Sequence, residues 1–179
     1  MTGARGGASP PEGTGQWVLL SYRLPREPST PRITVWRKLK RLGVAQLGDG
    51  LVALPADART REQLEWIAEE ITELGGTAGV WLARPGTARQ ERELAAGMAA
   101  ARAAEYDAVL AEARDAASAG ESERARAVRR LRAELRRIGK RDYFPPPARD
   151  TARAAVAEPT TEPVEIDAAS LAKTVEDHT

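Results

Sequence analysis

The chain has 179 residues and a formal net charge of +1, a length that leaves room for one domain of ordinary size plus extensions. It contains no cysteine, which excludes disulfides, cysteine-based metal sites and thiol catalysis. No apolar run approaches the ~20 residues that span a bilayer, and residues 1–15 lack the apolar region of a secretion signal, so we expect a cytoplasmic protein with no membrane partner.

The near-zero net charge hides a strong asymmetry along the chain. Residues 121–149 carry ten basic and four acidic side chains, whereas residues 151–179 carry two basic and six acidic ones. A basic segment followed by an acidic tail indicates an anionic partner and a tail that competes for it.

The first predicted elements are a strand and a helix. The nearly continuous apolar run over residues 17–22 predicts a central strand that is covered by helices. Ser29 and Thr30 are N-cap candidates for the helix that follows. Pro31 suits its first turn and Gly43 ends it.

The next stretch predicts a hairpin, a second helix and a last strand. Residues 44–54 form two short strands around Gly48-Asp49-Gly50, because Asp-Gly tolerates positive φ. Residues 60–63 have capping-box spacing and predict a helix that Thr60 opens. Residues 79–83 predict the last strand. The order β-α-β-β-α-β predicts an α+β, ferredoxin-like fold: a four-stranded antiparallel sheet with two helices on one face.

After Gly86 the pattern becomes helical. Residues 88–117 predict one long alanine-rich helix, and residues 121–140 predict a second helix with a narrow apolar seam, so the two form an antiparallel helical hairpin. The aromatic residues of segment 142–147 are expected to hold the chain against the body. The predicted organisation is therefore a disordered segment 1–15, a ferredoxin-like domain 16–86, a hairpin extension 87–147 and a disordered acidic tail 148–179, with a weak helix at 167–176.

Five segments carry a family resemblance. They are Trp17–Pro25, Pro28–Arg32, Val35–Gly43, Gln46–Pro55 and Arg141–Pro145. In order and spacing, over residues 16–150, they resemble the N-terminal domain family of the chromate-resistance regulator ChrB. The resemblance implies a role in regulators of chromate-resistance operons, which tune an efflux transporter gene in response to chromate. It also implies a homodimer, since similar domains pair through their sheets or edges. Full-length members continue into a second domain, which we expect to be absent here together with its part in effector sensing.

The first candidate site is the N-terminus of the first helix. Arg23, Arg26 and Arg32 lie around Ser29 and Thr30 in the sequence. The free N–H groups and partial positive charge of a helix N-terminus suit a tetrahedral oxyanion such as chromate or sulfate. The alternative is that Ser29 or Thr30 only caps the helix and the arginines are solvated.

The second candidate site is a basic surface for duplex DNA. Helical spacing places six basic residues of the 121–140 helix on the side away from its apolar seam, and four more on the outer side of the first helix. These residues are Arg126, Arg129, Arg130, Arg136, Arg137 and Lys140, together with Arg37, Lys38, Lys40 and Arg41. The alternative is a solvated helix face whose charges pair with Glu134 and with acidic residues of the preceding helix. No helix-turn-helix is visible, so base readout is unexplained.

Trp66 is the candidate for contact with a partner protein. It lies about 130° from the centre of its helix's apolar stripe, at ~100° per residue. The alternative is a tryptophan that lies over the sheet edge or under the C-terminal hairpin.

Catalysis finds no support in the sequence. His178 is the only histidine, and the first strand ends in Tyr22-Arg23-Leu24 with no acid where nucleases of similar fold place one. We therefore expect a protein that is not an enzyme and has no cofactor, no metal site and no catalytic residue. The leading hypothesis is a DNA-binding transcription regulator linked to chromate resistance. The alternative is an accessory oxyanion-binding or interaction module that does not bind DNA.

Overall fold

The computed structural model describes residues 15–157, and within them the chain forms a four-stranded sheet and five helices. In chain order the elements are β1 Trp17–Arg23, α1 Thr30–Leu42, β2 Ala45–Gly48, β3 Leu51–Pro55, α2 Ala58–Glu73, β4 Thr77–Ala83, α3 Ala88–Ala117, α4 Glu121–Gly139 and α5 Ala148–Ala157. The α+β class and the predicted β-α-β-β-α-β order of the first six elements are confirmed.

The sheet has the strand order β2-β3-β1-β4, and each neighbouring pair is antiparallel. β1 is a central strand: Leu20 is opposite Val52 on one side and opposite Val80 on the other. The register between β2 and β3 is interrupted between Gln46 and Gly48. β2 and β4 are therefore the two edges of the sheet.

The main core lies between the sheet and the first two helices. Val18 and Leu20 of β1 point to the same face because side chains alternate along a strand, and both are fully buried. They belong to one cluster with Val35 and Leu39 of α1 and with Leu64, Ile67 and Ile71 of α2. The 3-4 spacing of these helical residues gives each helix a single apolar face, which explains why both helices pack on the strands.

The helix ends follow the predicted stop signals, with one correction. Gly43 adopts the left-handed conformation after α1, with φ of 73°. α2, however, begins at Ala58, because Asp57 rather than Thr60 is its N-cap. The Asp57 carboxylate accepts a hydrogen bond from the Thr60 N–H (2.7 Å), and the Thr60 hydroxyl accepts one from the Asp57 N–H (3.0 Å). The capping box is real, but it starts three residues earlier than expected.

The C-terminal part contains the two predicted helices, which pack on each other, and a third helix that was not predicted. Residues 148–157, which we expected to be disordered, form α5, and its Ala152 and Val156 are buried. They pack in a second cluster with Tyr106 of α3 and with Leu131 and Ile138 of α4. The predicted helix at 167–176, segment 1–14 and the tail from 158 on lie outside the described residues.

Residues 140–144 connect this helical unit to the sheet. The Tyr143 hydroxyl donates to the Leu42 carbonyl at the end of α1 (3.1 Å), and the Phe144 ring stacks on Trp17 of β1 with 5.9 Å between ring centroids. The Arg59 guanidinium donates to the Lys140 carbonyl (3.3 Å). The expectation that these aromatics hold the chain against the body is confirmed.

Two further properties bear on function. No helix within residues 15–157 is long and apolar enough to cross a bilayer. In the same range, histidine, aspartate and glutamate side chains form no group of three or more that is placed to hold a metal ion.

Candidate anion-binding surfaces

A cleft of about 960 Å³ lies between the N-terminal half of α1 and the β2–β3 turn. Arg23, Arg26, Ser29 and Arg32, four of the five residues predicted for an oxyanion site, line it. Thr30, the fifth, is exposed and does not line the cleft.

Four other lining residues decide the character of the cleft. Arg37, predicted for DNA contact, is part of it, as are the two aromatic residues Tyr22 and Trp36. Asp49 is the acidic residue in the lining. The sequence alone did not indicate that the β2–β3 turn meets α1, so Tyr22, Trp36 and Asp49 were missed.

The β2–β3 turn reaches the cleft because it is bonded to the end of β1. The Tyr22 N–H donates to the Gly50 carbonyl (2.7 Å). Gly50 has φ of 71°, and a Cβ at this position would lie 2.2 Å from the Tyr22 carbonyl oxygen. Only glycine fits so close an approach, so Gly50 positions Asp49 at the rim of the cleft.

The charges in the cleft are mostly uncompensated. Arg23, Arg26, Arg32 and Arg37 form no ion pair with any residue between 15 and 157. Four guanidinium groups therefore face one carboxylate, which favours an anionic ligand.

The pKa of Tyr22 reports on this environment. Burial raises it above the usual value for tyrosine, the positive charge of Arg32 lowers it, and the negative charge of Asp49 raises it. Arg32 and Asp49 thus act on the same phenol, which lies between the two sides of the cleft.

The start of α1 has no side-chain cap. Ser29 is the N-cap residue, but its hydroxyl makes no capping hydrogen bond. The Ile33 N–H bonds to the Ser29 carbonyl (3.2 Å), and Pro31 has no N–H to offer. The alternative in which Ser29 caps the helix with its side chain is therefore wrong.

The predicted basic side of α4 is exposed along its length. We call it the α4 row: Arg126, Arg129, Arg130, Arg136, Arg137 and Lys140, which are all exposed. Arg130 pairs with Glu112 of α3 (2.8 Å), and Arg137 pairs with Glu134 (3.1 Å). Arg126, Arg129 and Arg136 have no ion pair within residues 15–157, so the pairing that would neutralise this face is partial.

Arg132 extends the α4 row. It is exposed as well, at the margin of the same side. Helical spacing places it 40° from Arg136, and it was missed because only the centre of the basic side was considered.

The four basic residues of α1 do not form one surface. Lys38 is bonded to Glu70 of α2, and the Lys40 ammonium lies 5.2 Å from the centre of the Trp36 ring. Arg37 lines the cleft, and Arg41 is exposed. Lys38 is therefore occupied by an ion pair and is the weakest candidate among them for contact with DNA.

Trp66 is 60% exposed, so it neither lies under the C-terminal helices nor joins the core. Helical spacing places it 40° from Glu70, on the side of α2 that faces α1 through the Lys38–Glu70 pair. Its role in partner contact stays a prediction.

Comparison with known proteins assigns the family. The family model described as "Protein ChrB, N-terminal" matches residues 32–168, more than half of the chain. The chain belongs to the ChrB N-terminal family. Protein ChrB of Cupriavidus metallidurans is 32% identical over 133 residues, which cover 72% of this chain and 40% of that protein. No solved structure matches.

The extent of the family match bears on the two surfaces. It includes the α4 row and the part of the cleft contributed by α1 and the β2–β3 turn. It begins after Arg23, Arg26 and Ser29. The chain spans less than half of the ChrB protein that it matches, so the activity of that whole protein does not transfer directly.

Proposed function

We propose that this chain is a transcription regulator associated with chromate resistance, and that it binds duplex DNA through the α4 row. Family membership supports the chromate-resistance association. The observation that carries the DNA contact is the exposed α4 row, in which Arg126, Arg129 and Arg136 have no partner among the described residues. Such a protein acts in the cytoplasm as a binding protein and not as an enzyme.

The dimensions of α4 suit a phosphate backbone. Arg126 and Lys140 are fourteen residues apart, or ~21 Å at 1.5 Å per residue. Duplex DNA carries about one charge per 1.7 Å of its axis, so a row of this length reaches several phosphates. Contacts of this kind give affinity and position, whereas sequence preference requires contacts to bases or DNA shape.

The ends of α1 and α4 lie near each other, which supports a contribution from Arg41 and Lys140 to one surface. The Tyr143 hydroxyl bonds to the Leu42 carbonyl in the last turn of α1, and Tyr143 is only three residues beyond Lys140, which directly follows α4. We place Lys40 and Arg41 at the margin of the DNA surface and α4 at its centre.

The test is binding to duplex DNA from the protein's own upstream region, measured by gel retardation and by fluorescence anisotropy. If about four to six phosphates are contacted, log affinity falls against log salt with a slope of about −4 to −5. Replacing Arg126, Arg129 and Arg136 with alanine is expected to flatten the slope by up to about three units.

A matched control removes the same charge elsewhere. Arg84, Arg89 and Arg92 are exposed near the start of α3, and their triple alanine variant is expected to keep the wild-type slope. The proposal is rejected if the wild-type protein does not retard its promoter fragment at low salt. It is also rejected if the two triple variants flatten the salt slope of DNA affinity equally.

The second candidate is an accessory module that binds an oxyanion such as chromate or sulfate and does not bind DNA. The cleft, with four unpaired arginines and one carboxylate, favours it. Calorimetry with chromate and with sulfate tests this candidate. If the protein binds either ion and does not retard DNA, the candidate is supported. If neither ion gives a heat of binding, the candidate is rejected.

We further propose that the β-α-β-β-α-β part is a ferredoxin-like domain and that the chain is a homodimer. The strand order β2-β3-β1-β4, with α1 and α2 in one core, supports the fold.

A further inference from the structure

The two edge strands of the sheet differ in how they are protected. β2 has four residues, its register with β3 is interrupted, and it contacts α3. β4 has seven residues, which pair in continuous register with β1 from Thr77 to Ala83. Edge strands are usually protected by charge, proline, short length or a bulge, and β4 has none of these.

The surface around β4 is also apolar on both sides. Trp81 is 62% exposed on one face of the strand, and Leu82 is 52% exposed on the other. α3 reaches the sheet through Leu94 and Met98 and leaves Trp81 uncovered. Alternate residues of β4 direct their N–H and C=O groups away from β1, by the geometry of an antiparallel ladder. A new strand at this edge would bond to those groups and cover both side chains.

We propose that β4 pairs antiparallel with β4 of a second copy of this chain, about a two-fold axis at Val80. The two four-stranded sheets then form one sheet of eight strands. This inference rests on the proposed homodimer, whose contact it specifies, and it does not depend on the proposed DNA contact.

The residues of β4 favour a copy of itself as the occupant. A two-fold axis brings the same strand against itself, and no like charges meet because residues 77–83 are uncharged. An axis at Val80 places Trp81 opposite Gly79 of the other copy, and within each copy the Trp81 indole already lies over its own Gly79, so the two indoles meet above the two glycines. The two Trp81 rings then lie on one face as diagonal neighbours, about 7–8 Å apart between Cα atoms, within reach of aromatic side chains.

The charges of α2 beside the strand are paired within each copy. Arg61 lies half a turn around α2 from Glu70, which faces α1, and α2 packs on β4, so Arg61 is on the β4 side. Glu65 is bonded to Arg61 (2.7 Å), and both side chains are about half exposed. Because this pair neutralises itself within each copy, it adds no net charge beside the proposed interface.

The expected interface is of modest size. An aromatic side chain has roughly 150–250 Å² of surface, so each Trp81 has on the order of 100 Å² left to bury. Stable interfaces bury about 1,200–2,000 Å² in total. A seven-residue strand pair with two exposed side chains per copy falls below this range, so we expect a weak, reversible dimer that depends on protein concentration.

The first test is sedimentation velocity of the full chain over a range of concentrations. Trp81→Lys introduces like charges at the axis and is expected to raise the dimer dissociation constant at least tenfold. Trp66→Lys, at nearly the same exposure, tests the rival partner contact predicted from the sequence, and it dimerises like the wild type if β4 forms the interface. Circular dichroism of each variant checks that it is folded.

The second test uses the absence of cysteine from the chain. In Val80→Cys the two Cα atoms are expected about 4.5–5.5 Å apart, within the range of about 4.4–6.8 Å that a disulfide spans, so mild oxidation should crosslink the copies. In Ala78→Cys each introduced cysteine is opposite residue 82 of the other copy. The two cysteines are therefore four residues apart along the strand, or ~13 Å, and no disulfide is expected.

Three results would overturn the inference. They are a wild-type protein that stays monomeric at high concentration, a dimer that Trp66→Lys dissociates while Trp81→Lys does not, and equal crosslinking of the two cysteine variants.

Discussion

The cleft at α1 and the outer side of α4 present arginines in different ways. In the cleft, guanidinium groups from a strand end, a loop and a helix converge on a concave surface that also contains Tyr22, Trp36 and Asp49. In the α4 row, one helix presents its arginines along a line, and the neighbouring acids Glu112 and Glu134 take up two of them.

This difference in shape indicates a difference in ligand. A converging set of donors surrounds a single small anion, and a partly covered cleft strengthens each interaction. A linear exposed row suits an extended anion with repeated charges, where each contact is weak and sensitive to salt. The two surfaces should therefore respond independently to mutation.

The largest effect expected in the cleft comes from removing two of its arginines. Arg26→Ala together with Arg32→Ala is expected to weaken chromate or sulfate binding about tenfold or more, because charge-assisted hydrogen bonds contribute roughly 1.5–3 kcal/mol each. Isothermal calorimetry measures the loss. DNA binding by the same variant should stay close to wild type, and a comparable loss of DNA affinity would show that the surfaces are one.

A smaller effect, in the opposite direction, is expected from the acidic C-terminal segment. Residues 158–179 contain six acidic residues and one lysine, so deleting them should tighten DNA binding about two- to fivefold at low salt. Anisotropy at two salt concentrations measures the change, which should disappear at high salt. The deletion has to begin at residue 158, since Ala152 and Val156 are buried in the helical core.

Asp49→Asn should change anion affinity in the cleft about two- to threefold, on the order expected for one partly screened charge. Its carboxylate repels an anion, so its removal should tighten chromate or sulfate binding while leaving DNA binding unchanged. Calorimetry of the variant beside wild type tests the sign. Weaker binding would mean that Asp49 orients an arginine and does not repel the ligand.

The smallest effect expected is on the pKa of Tyr22. Arg32 lowers this pKa and Asp49 raises it, so Arg32→Ala should move it upward and Asp49→Asn should move it downward. Ultraviolet absorbance of the phenolate during an alkaline titration, with Tyr22→Phe as the reference, follows the change. Shifts of the same sign in both variants would contradict the described arrangement of the cleft.

Local patterns in the sequence were sufficient for most of the fold. Each of the first six elements combines an apolar period with a stop signal such as Gly43 or Pro55, and α3 begins and ends where predicted. α5 was missed because Ala148–Ala157 has no stripe of large apolar residues. Its buried face is formed by Ala152 and Val156, whose small size lets the helix approach α3 closely, and that requires knowledge of the neighbour.

The candidate site was predictable only where it is local in sequence. Arg23, Arg26, Ser29 and Arg32 lie within ten residues of one another. The predicted N-terminus of the first helix was therefore sufficient to assign them to one site. Asp49 joins them through the bond between Tyr22 and Gly50, which no short-range pattern reveals. The same limit applies to α4. Helical spacing identified its basic side, but it did not show which arginines would form ion pairs with Glu112 and Glu134.

The stacking of Phe144 on Trp17 has a consequence for the order in which the protein forms. Trp17 begins β1 and is synthesised early, yet its ring partner is 127 residues further along the chain. At about 5–20 residues per second, roughly 6–25 s pass before that partner exists. Until then the Trp17 ring lacks the aromatic partner that stacks on it in the finished protein. During this interval the uncovered ring face of Trp17 is available for contact with other nascent chains.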